Sequence, residues 1–367
     1  MFEVKYSDGE ARIGSFETRH GRIETPFFMP VATKLSVKLI EPKELKPLNV
    51  EAIISNALLL YLRPGLELIK KFKGVHGLMG FDKVIFTDSG GFQMISDKFL
   101  VDINEKKCRF RDPYTKKIID MYPEKNMDIQ ERLRSDVAMC LDYMPRHGDS
   151  LEKIKKSVKI TYEWGKRCKE SHADSKQKLF GIIQGGLSKE LREKSCELMK
   201  SLDFDGYAIG GLAIGENKEE LKKVIDNVVK KLPKEKPRYL MGVGSIPEIF
   251  ENIEKGIDCF DSCYVTRHAR HAVAFTKKGE IRLEKGIYKE DFNPIEKDCK
   301  CDICKNYSRA YINYLIKINE YNWMRLVSLH NIYFIQNLIK EIKEAIKEKR
   351  FKEFKKEYLS RSSGLDS

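Results

Sequence analysis

The feature that most constrains the fold is a series of short apolar runs, rich in β-branched residues, that alternate with longer charged segments of helical periodicity. Such runs are typical of strands buried on both faces, and their alternation with helices predicts parallel strands joined by crossovers. Eight such units over about 240 residues predict an α/β fold, a (β/α)8 TIM barrel, rather than an open doubly wound sheet. The eight runs are residues 26–31, 52–56, 84–88, 137–142, 179–184, 206–210, 238–242 and 258–261.

Most of these runs finish in a small or polar residue. Because the carboxyl ends of parallel barrel strands meet at one mouth, we expect these residues to share one pocket. Asp, Asn and Gly also end strands as turn formers and helix caps, and for any single residue that interpretation is preferred. Seven such ends together favour a functional site. The residues are Asn56, Asp88 with Ser89, Asp142, Gln184, Gly210 with Gly211, Gly242 and Asp261.

Composition limits the class of protein. Hydrophobic residues make up 41% of the 367 residues, which excludes disorder of the whole chain. No stretch approaches 18 consecutive apolar residues and the N-terminus lacks the pattern of a secretory signal, so we expect no membrane span and a cytoplasmic protein. The net charge of +13 makes a polyanionic partner such as nucleic acid plausible; lysine enrichment from an AT-rich genome is the alternative.

Three of the nine cysteines lie close together in the C-terminal part of the chain. Cys299, Cys301 and Cys304 fall within six residues, and His330 is the only histidine that follows them. Three thiolates and one imidazole form a closed tetrahedral set, so we predict one structural Zn²⁺ with no open position for catalysis. The alternative is a redox or incidental cysteine cluster, with His330 an ordinary surface or core histidine.

After the eighth apolar run, a basic segment, the clustered cysteines and long helical patterns replace the alternation of apolar and charged segments. This change predicts four regions. We expect a catalytic barrel over residues 1–290, a zinc-binding subdomain inserted at 291–335, a helix completing the barrel at 336–358 and a flexible tail at 359–367. Helical patterns run over 308–320 and from 333 to about 358.

Two carboxylates at one mouth suit glycosyl chemistry, in which one attacks an anomeric carbon and the other moves a proton. Asp88 and Asp261 end the third and eighth runs, so they could face each other across a substrate. Glycines after these strands let the backbone approach a flat ligand, and Asp142 and Gln184 supply hydrogen-bonding groups for a purine edge. Phe92 and Met241 are candidates to sandwich a planar ring, although ordinary core packing is favoured for each of them alone.

With these residues in place, the sequence resembles the tRNA-guanine transglycosylase (queuine tRNA-ribosyltransferase) family of the bacterial and eukaryotic type. The similarity extends from about residue 10 to about residue 355. It is carried by the three cysteines with His330 and by four further motifs: Thr-Asp-Ser-Gly-Gly-Phe-Gln at 87–93, Gln-Gly-Gly at 184–186, Ala-Ile-Gly-Gly-Leu-Ala-Ile-Gly-Glu at 208–216, and Arg-Tyr-Leu-Met-Gly-Val-Gly at 238–244 together with Phe260-Asp261.

The resemblance implies an enzyme that exchanges guanine at the wobble position of tRNA with a G-U-N anticodon for a 7-deazaguanine base, on the way to queuosine. Asp261 matches the nucleophile that forms a covalent ribosyl intermediate, and Asp88 matches the acid/base residue. A homodimer is usual among bacterial members. The implied base-binding residues are Ser89, Phe92, Asp142, Gln184, Gly211, Leu212, Ile214 and Met241, and the implied tRNA-binding residues are Thr266, Arg267 and Arg270.

The sequence departs from the family pattern at three places near the expected mouth: residues 57–60, 143–144 and 262–265. None includes Asp88 or Asp261, so we expect an active enzyme. A branched Ile214, where queuine-using members carry glycine, favours 7-aminomethyl-7-deazaguanine over queuine. The alternatives are a non-catalytic tRNA-binding subunit and a relative that inserts deazaguanines into DNA.

Overall fold

The structure, a computed structural model, describes residues 2–94, 99–212 and 217–362, and for Phe92, Gln93 and Ser362 it describes the backbone alone. The barrel strands, numbered in chain order among all strands, are β4 (Phe27–Pro30), β5 (Ala52–Asn56), β6 (Val84–Asp88), β10 (Val137–Met139), β11 (Lys178–Ile183), β12 (Gly206–Ile209), β13 (Arg238–Leu240) and β14 (Cys259–Ser262). These eight parallel strands form one sheet in the order β4-β14-β13-β12-β11-β10-β6-β5.

The sheet closes on itself where its two edge strands meet. A parallel bridge joins Val31 to Ile54, and the backbone N–H of Ala32 donates to the carbonyl of Ile54 at 2.7 Å. The eight apolar runs therefore form the eight strands of a nearly closed barrel, and the predicted fold class is confirmed.

Three smaller sheets lie outside the eight-stranded sheet, and no sequence pattern predicted them. A three-stranded antiparallel sheet precedes the first barrel strand, a second one lies between β6 and β10, and a two-stranded hairpin follows β14. Their strands are β1 (Glu3–Asp8), β2 (Ala11–Thr18) and β3 (Gly21–Glu24); β7 (Leu100–Ile103), β8 (Cys108–Arg111) and β9 (Ile118–Met121); and β15 (Val273–Thr276) and β16 (Gly279–Arg282).

Helices connect the barrel strands. Several helices of the chain are capped at their N-terminus by a side chain that accepts a hydrogen bond from a backbone N–H of the first turn. The capping residues are Asn56, Ser150, Ser188, Asn217 and Ser308. The α-helices are α1 (Pro42–Leu45), α2 (Ala57–Leu62), α3 (Leu66–Lys71), α4 (Val75–Met79), α5 (Gly91–Met94), α6 (Pro123–Leu133), α7 (Leu151–Ser171), α8 (Lys189–Lys200), α9 (Lys218–Lys231), α10 (Ile246–Ile253), α11 (Tyr264–Ala269), α12 (Asp302–Asn306), α13 (Arg309–Lys317), α14 (Asn322–Lys347) and α15 (Phe351–Ser362), and a 3-10 turn spans Gly286–Tyr288.

One long helix, α14, links the C-terminal region to the barrel. It carries His330, while farther along the same helix the side-chain amide of Gln336 donates to the carbonyl of Phe28 on β4 at 2.9 Å. Residues 335 and 336, on either side of an expected boundary, both lie within this helix. The final helical pattern of 333–358 is also divided in the structure, because α14 ends at Lys347 and α15 runs on to Ser362, four residues into the expected tail.

Aromatic rings fill the interior of the barrel below its carboxyl mouth. Phe86 lies edge-on to Phe180 at 5.7 Å and to Tyr239 at 6.1 Å, and all three side chains are buried. These rings make the interior of the barrel a packed core. Across the described ranges, none of the helices has the length and apolar character needed to cross a membrane.

Candidate active site and metal centre

A cavity of about 820 Å³ lies at the carboxyl mouth of the barrel. It collects side chains from the ends of different strands, as the convergence of the polar strand ends predicts. Among its lining residues are Asp88, Ser89, Asp142, Gln184, Gly211, Leu212, Met241, Asp261 and Arg267. The structure thus brings together most of the predicted base-binding residues with both candidate catalytic carboxylates.

Asp88 is the last residue of β6. Its Oδ1 accepts a hydrogen bond from Asn56 Nδ2 at 2.7 Å and another from the backbone N–H of Gly90 at 2.8 Å. Burial raises the pKa of Asp88 to about 7, and the negative charges of Asp261 and Asp142 add to the rise while these two hydrogen bonds oppose it. A carboxyl group with this pKa can hold or release a proton near neutral pH.

Asp261 lies on β14, which is separated from β6 by the two strands β4 and β5 around the closed barrel. The hydroxyl of Tyr239 donates to its Oδ1 at 2.5 Å, and the backbone N–H of Gly242 donates to the same oxygen at 2.9 Å. Burial raises the pKa of Asp261, and both hydrogen bonds oppose that rise. Among the described residues Oδ2 has no hydrogen-bond partner, so one carboxylate oxygen is held and the other is directed to no protein group.

Asp142 and Gln184 form a buried polar pair on the wall of the cavity. Gln184 Nε2 donates to Asp142 Oδ2 at 2.7 Å, and the hydroxyl of Ser89 lies 3.4 Å from Asp142 Oδ1. Burial raises the pKa of Asp142 to about 6, so the group is largely ionised at neutral pH. Within the part of the chain that the structure describes, the buried Oε1 of Gln184 has no hydrogen-bond partner. A buried acceptor of this kind is costly unless a ligand supplies a donor.

Gly211 allows the backbone to approach this polar pair. It adopts a positive φ of +65°, and a Cβ built at this position would lie 2.4 Å from Gln184 Oε1. Only glycine fits beside the amide without moving it, so the backbone of residue 211 lies directly against the Gln184 side chain in the cavity wall. Leu212 is buried and Met241 is partly buried, both in the cavity wall. The side chain of Phe92 and the whole of Ile214 lie outside the described residues.

The basic segment after Asp261 forms the short helix α11 at the rim of the cavity. Arg267 is exposed and lines the cavity, and its guanidinium donates to Cys263 Sγ at 2.7 Å. Arg270 is partly buried and donates to the carbonyl of Thr266 at 2.8 Å. Thr266 is only 5% exposed, and its hydroxyl lies 3.4 Å from the Cys263 carbonyl. Of the three residues expected to contact tRNA, Arg267 is thus the most accessible and Thr266 is held inside the helix.

The three clustered cysteines lie beside His330 of α14, and the ligand atoms of the four residues are within 4.8 Å of one another. His330 Nδ1 lies 3.9 Å from Cys299 Sγ, 3.5 Å from Cys301 Sγ and 3.3 Å from Cys304 Sγ. The other ring nitrogen, Nε2, lies 2.8 Å from the carbonyl of Phe275, which can only accept; Nε2 therefore carries the proton and Nδ1 presents its lone pair. This set could hold a metal ion, and its thiolate and imidazole donors fit tetrahedral zinc with no open position.

A second group of possible ligands lies near the opposite mouth of the barrel. His20 Nδ1 and His76 Nε2 each lie 2.9 Å from one oxygen of the buried Asp136. The two imidazole rings are stacked, with centroids 3.4 Å apart and planes 17° from parallel. Nearly parallel rings direct their lone pairs side by side rather than toward one ion. This cluster is therefore better explained as a hydrogen-bonded support for the base of the barrel.

Comparison with known proteins agrees with the geometry. Residues 7–363 match the protein-family model described as Queuine tRNA-ribosyltransferase. The chain belongs to this family. It is 45% identical over 366 residues to a queuine tRNA-ribosyltransferase of Fusobacterium nucleatum, covering 99% of this chain and 98% of the relative. It is 41% identical over 359 residues to one of Francisella tularensis, covering 98% of each chain. The resemblance inferred from the sequence is confirmed, and with it a transferase of the pentosyltransferase class.

The sequence did not reveal the part that some residues play in this family member's site. Asn56 Oδ1 accepts a hydrogen bond from the first turn of α2, and Asn56 Nδ2 donates to Asp88 Oδ1. Its position at a strand end predicted a residue of the mouth but not this contact with Asp88. Tyr239 lay within a strand pattern, and nothing showed that its hydroxyl would reach Asp261. The unusual residues at 57–60 form the first two-thirds of α2, where Leu58 packs so closely on Gly90 that a Cβ at Gly90 would lie 2.3 Å from it.

Proposed function

We propose that this chain exchanges guanine at the wobble position of tRNA with a G-U-N anticodon for a 7-deazaguanine base, in the biosynthesis of queuosine. The observation that carries the proposal is the pair of differently held carboxylates, Asp88 and Asp261, in one cavity with a buried polar pair suited to a purine edge. A base buried in the anticodon loop must leave its stack to enter such a pocket, as other nucleobase-modifying enzymes require.

Asp261 is the nucleophile in this proposal. Tyr239 and Gly242 hold its Oδ1, so Oδ2 attacks the ribose anomeric carbon as the glycosidic bond to guanine breaks. The bonding electrons leave with guanine, and Asp88 supplies the proton that the departing base takes up. The incoming base then attacks the same carbon, gives its proton to Asp88 and releases Asp261 as a carboxylate.

Asp142 and Gln184 recognise the base. Guanine presents N–H donors on the edge that carries its N1 and its amino group, and the ionised Asp142 accepts hydrogen bonds there. The unpartnered Oε1 of Gln184 accepts another donor of the bound base, which removes the cost of leaving it unpaired. Ser89 lies beside Asp142, Gly211 keeps the slot open, and Leu212, Met241 and Phe92 complete the set of base-binding residues that the family resemblance implies.

We assign 7-aminomethyl-7-deazaguanine, rather than queuine, as the preferred incoming base. The support is Ile214, whose branched side chain leaves less room for a bulky 7-substituent than the glycine of queuine-using members. Competition between the two bases in wild type and Ile214→Gly is the measurement. An Ile214→Gly variant that gains no use of queuine would contradict the assignment.

The Cys299, Cys301, Cys304 and His330 set holds one structural Zn²⁺ in this proposal, and the ion takes no part in base exchange because four protein ligands fill its coordination. We also propose that the chain forms a homodimer and acts in the cytoplasm. The dimer is supported by exposed aromatic side chains on and beside α13, which include Tyr311 and Tyr314 at 43% and 57% exposure. A second copy of the chain that covers these rings would remove their apolar surface from water.

The direct test is incorporation of labelled guanine into unmodified tRNA with a G-U-N anticodon, with duplex DNA as the parallel substrate. Incorporation into tRNA alone supports the proposal. Incorporation into DNA alone favours a DNA deazaguanine transglycosylase, and failure of the folded, zinc-loaded chain with both favours a non-catalytic tRNA-binding subunit.

The nucleophile has its own test. In Asp261→Asn the side chain keeps its shape but loses its charge, so the covalent adduct with tRNA should disappear while tRNA still binds. Denaturing gel electrophoresis after incubation with tRNA measures the adduct, and filter binding measures the affinity. An adduct that survives in Asp261→Asn would move the nucleophile to another residue.

A further inference from the structure

An aromatic pair lies at the rim of the cavity, directly after the strand that carries Asp261. Tyr264 begins α11 and lines the cavity together with Asp261 and Arg267. Its ring stacks on the imidazole of His268, with centroids 3.7 Å apart and an interplanar angle of 30°. Both side chains are partly exposed, at 28% for His268, so this pair is not a closed part of the core.

The Tyr264 ring is held in place before any ligand arrives. Its hydroxyl donates to Glu280 Oε1 at 2.7 Å, and its backbone N–H donates to Ser262 Oγ at 3.1 Å. Gly244 makes room for it, because a Cβ there would lie 3.0 Å from Tyr264 Cβ. A ring fixed in this way loses little conformational entropy when a planar group stacks on it.

The surroundings of the pair are those of a single-stranded nucleic-acid site. Arg267 lies between Tyr264 and His268 in the sequence and is exposed at the same rim. Proteins that hold unpaired nucleotides combine rings on which bases stack with arginines that contact phosphates. Core packing accounts for Phe275, which is fully buried 6.1 Å from Tyr264, but it does not account for a partly exposed ring at the cavity rim.

We propose that the Tyr264–His268 pair is a stacking platform for the base next to the exchanged nucleotide. The proposal rests on the proposed function, because that function supplies the unpaired RNA. When the target nucleotide enters the cavity toward Asp261, its neighbour in the loop remains at the rim, where this ring pair replaces the stacking that the neighbour has lost. The Tyr264 side chain thereby contributes to the binding of RNA and not to the chemistry at Asp261.

The test compares wild type, Tyr264→Leu, Tyr264→Phe and His268→Ala in guanine exchange on an anticodon stem-loop. Loss of one stacked base should raise KM for the RNA roughly tenfold in Tyr264→Leu and leave kcat near its wild-type value. Tyr264→Phe keeps the ring and should recover most of the loss, and His268→Ala should show a smaller rise in KM. Tyr6→Leu is the matched control, since Tyr6 lies on β1 in the N-terminal sheet and is 48% exposed.

A second readout separates stacking from general destabilisation. Stem-loops with 4-thiouridine on either side of the target guanosine are irradiated with the wild-type chain, and the cross-linked peptide is identified by mass spectrometry. A cross-link to residues 264–268 from one of these positions supports the platform. Cross-links that map elsewhere, with an unchanged KM in a folded and active Tyr264→Leu, would overturn it. Absence of guanine exchange by the wild-type chain would instead overturn the proposed function itself.

Discussion

At the scale of single residues, the site depends on how each carboxylate is held. Asp88 accepts two hydrogen bonds and still has its pKa raised to about 7, because burial and two neighbouring negative charges outweigh them. Asp261 is anchored through one oxygen by Tyr239 and Gly242. One carboxyl is thus suited to moving a proton, while the other presents an oxygen for attack.

The raised pKa of Asp88 predicts how the rate of the first chemical step depends on pH. The group must be protonated to give a proton to the departing guanine, so single-turnover release of guanine should fall as the pH rises through about 7. Rapid-quench measurement of labelled guanine released from tRNA between pH 5.5 and 9 checks this. Asp88→Asn should lose most of the rate and the pH-dependent decrease together. A wild-type rate that stays constant from pH 6 to 8 would exclude Asp88 as the acid.

The same raised pKa has a consequence for stability. The folded state holds the Asp88 proton more tightly than the unfolded state, so the contribution of Asp88 to the free energy of unfolding falls as the pH rises from about 4 to about 7. The difference in melting temperature between Asp88→Asn and wild type should therefore shift in favour of Asp88→Asn when the pH is raised from 5 to 8. Thermal melts of both proteins at the two pH values measure this shift. A constant difference between the two proteins across this range would contradict the raised pKa.

Gly211 permits a matched comparison at the base slot. In Gly211→Ala the new methyl group would lie 2.4 Å from Gln184 Oε1, so the amide must move and KM for guanine should rise roughly tenfold. Gly9→Ala is the control, because Gly9 has a nearly equal φ of +63° and open space around it. Equal effects of the two substitutions on guanine KM would show that backbone strain, and not the slot, explains the loss.

At the scale of elements, the barrel strands were the most predictable part of the chain. A strand buried on both faces must be apolar along its length, so Ala52–Asn56 and Val84–Asp88 were predicted with the bounds that the structure gives them. Several strands of the small sheets were missed because they are short, largely exposed and carry no strong apolar pattern, as in Glu3–Asp8 and Leu100–Ile103. Ala11–Thr18 is mostly buried, but Arg12, Gly14 and Ser15 interrupt its apolar residues. The spacing of polar residues at strand ends located the site, whereas the hydrogen bonds of Asn56 and Tyr239 depend on packing between strands that no local pattern reports.

The C-terminal helices show a second limit of the sequence. The break between α14 and α15 occurs at Lys349, which adopts a left-handed φ of +56°. Neither glycine nor proline marks this position, so the pattern predicted one continuous helix. Tertiary contacts account for the turn, since Phe351 is buried at the start of α15 and its backbone N–H donates to Asp8 at 2.8 Å.

Helix α14 carries His330, a proposed zinc ligand, and also contacts β4, so removal of the metal should destabilise this helix and should not affect the chemistry directly. Chelation, or His330→Ala, should lower the melting temperature by about 5 °C or more and increase hydrogen exchange over 299–347. His330→Cys retains four ligands and should recover part of the stability, while His147→Ala, at an exposed histidine, is the control. Loss of activity on chelation without a change in the melting profile would contradict a structural role.

At the scale of the whole molecule, the fold separates the functions of its two barrel ends. The carboxyl mouth carries the cavity, both carboxylates and α11, while the opposite end carries buried ion pairs such as Arg12 with Asp258. The net charge of the chain is +13, which suits a polyanionic partner, and tRNA is the partner in the proposed function. In the proposed function, phosphate contacts at the rim would therefore supply affinity while the cavity supplies the chemistry.

This division predicts how salt affects tRNA binding. Each contact between a basic side chain and a phosphate releases counterions from the RNA, which makes binding depend on the salt concentration. Loss of one such contact in Arg267→Ala should therefore reduce the slope of log Kd against log salt concentration by about 0.7 to 0.9. Arg132→Ala is the control, because Arg132 is 41% exposed in the last turn of α6, at the opposite end of the barrel. Filter binding between roughly 50 and 200 mM salt measures both slopes. If Arg132→Ala lowers the slope as much as Arg267→Ala does, the charge acts as a diffuse field and the phosphate contacts are not concentrated at α11.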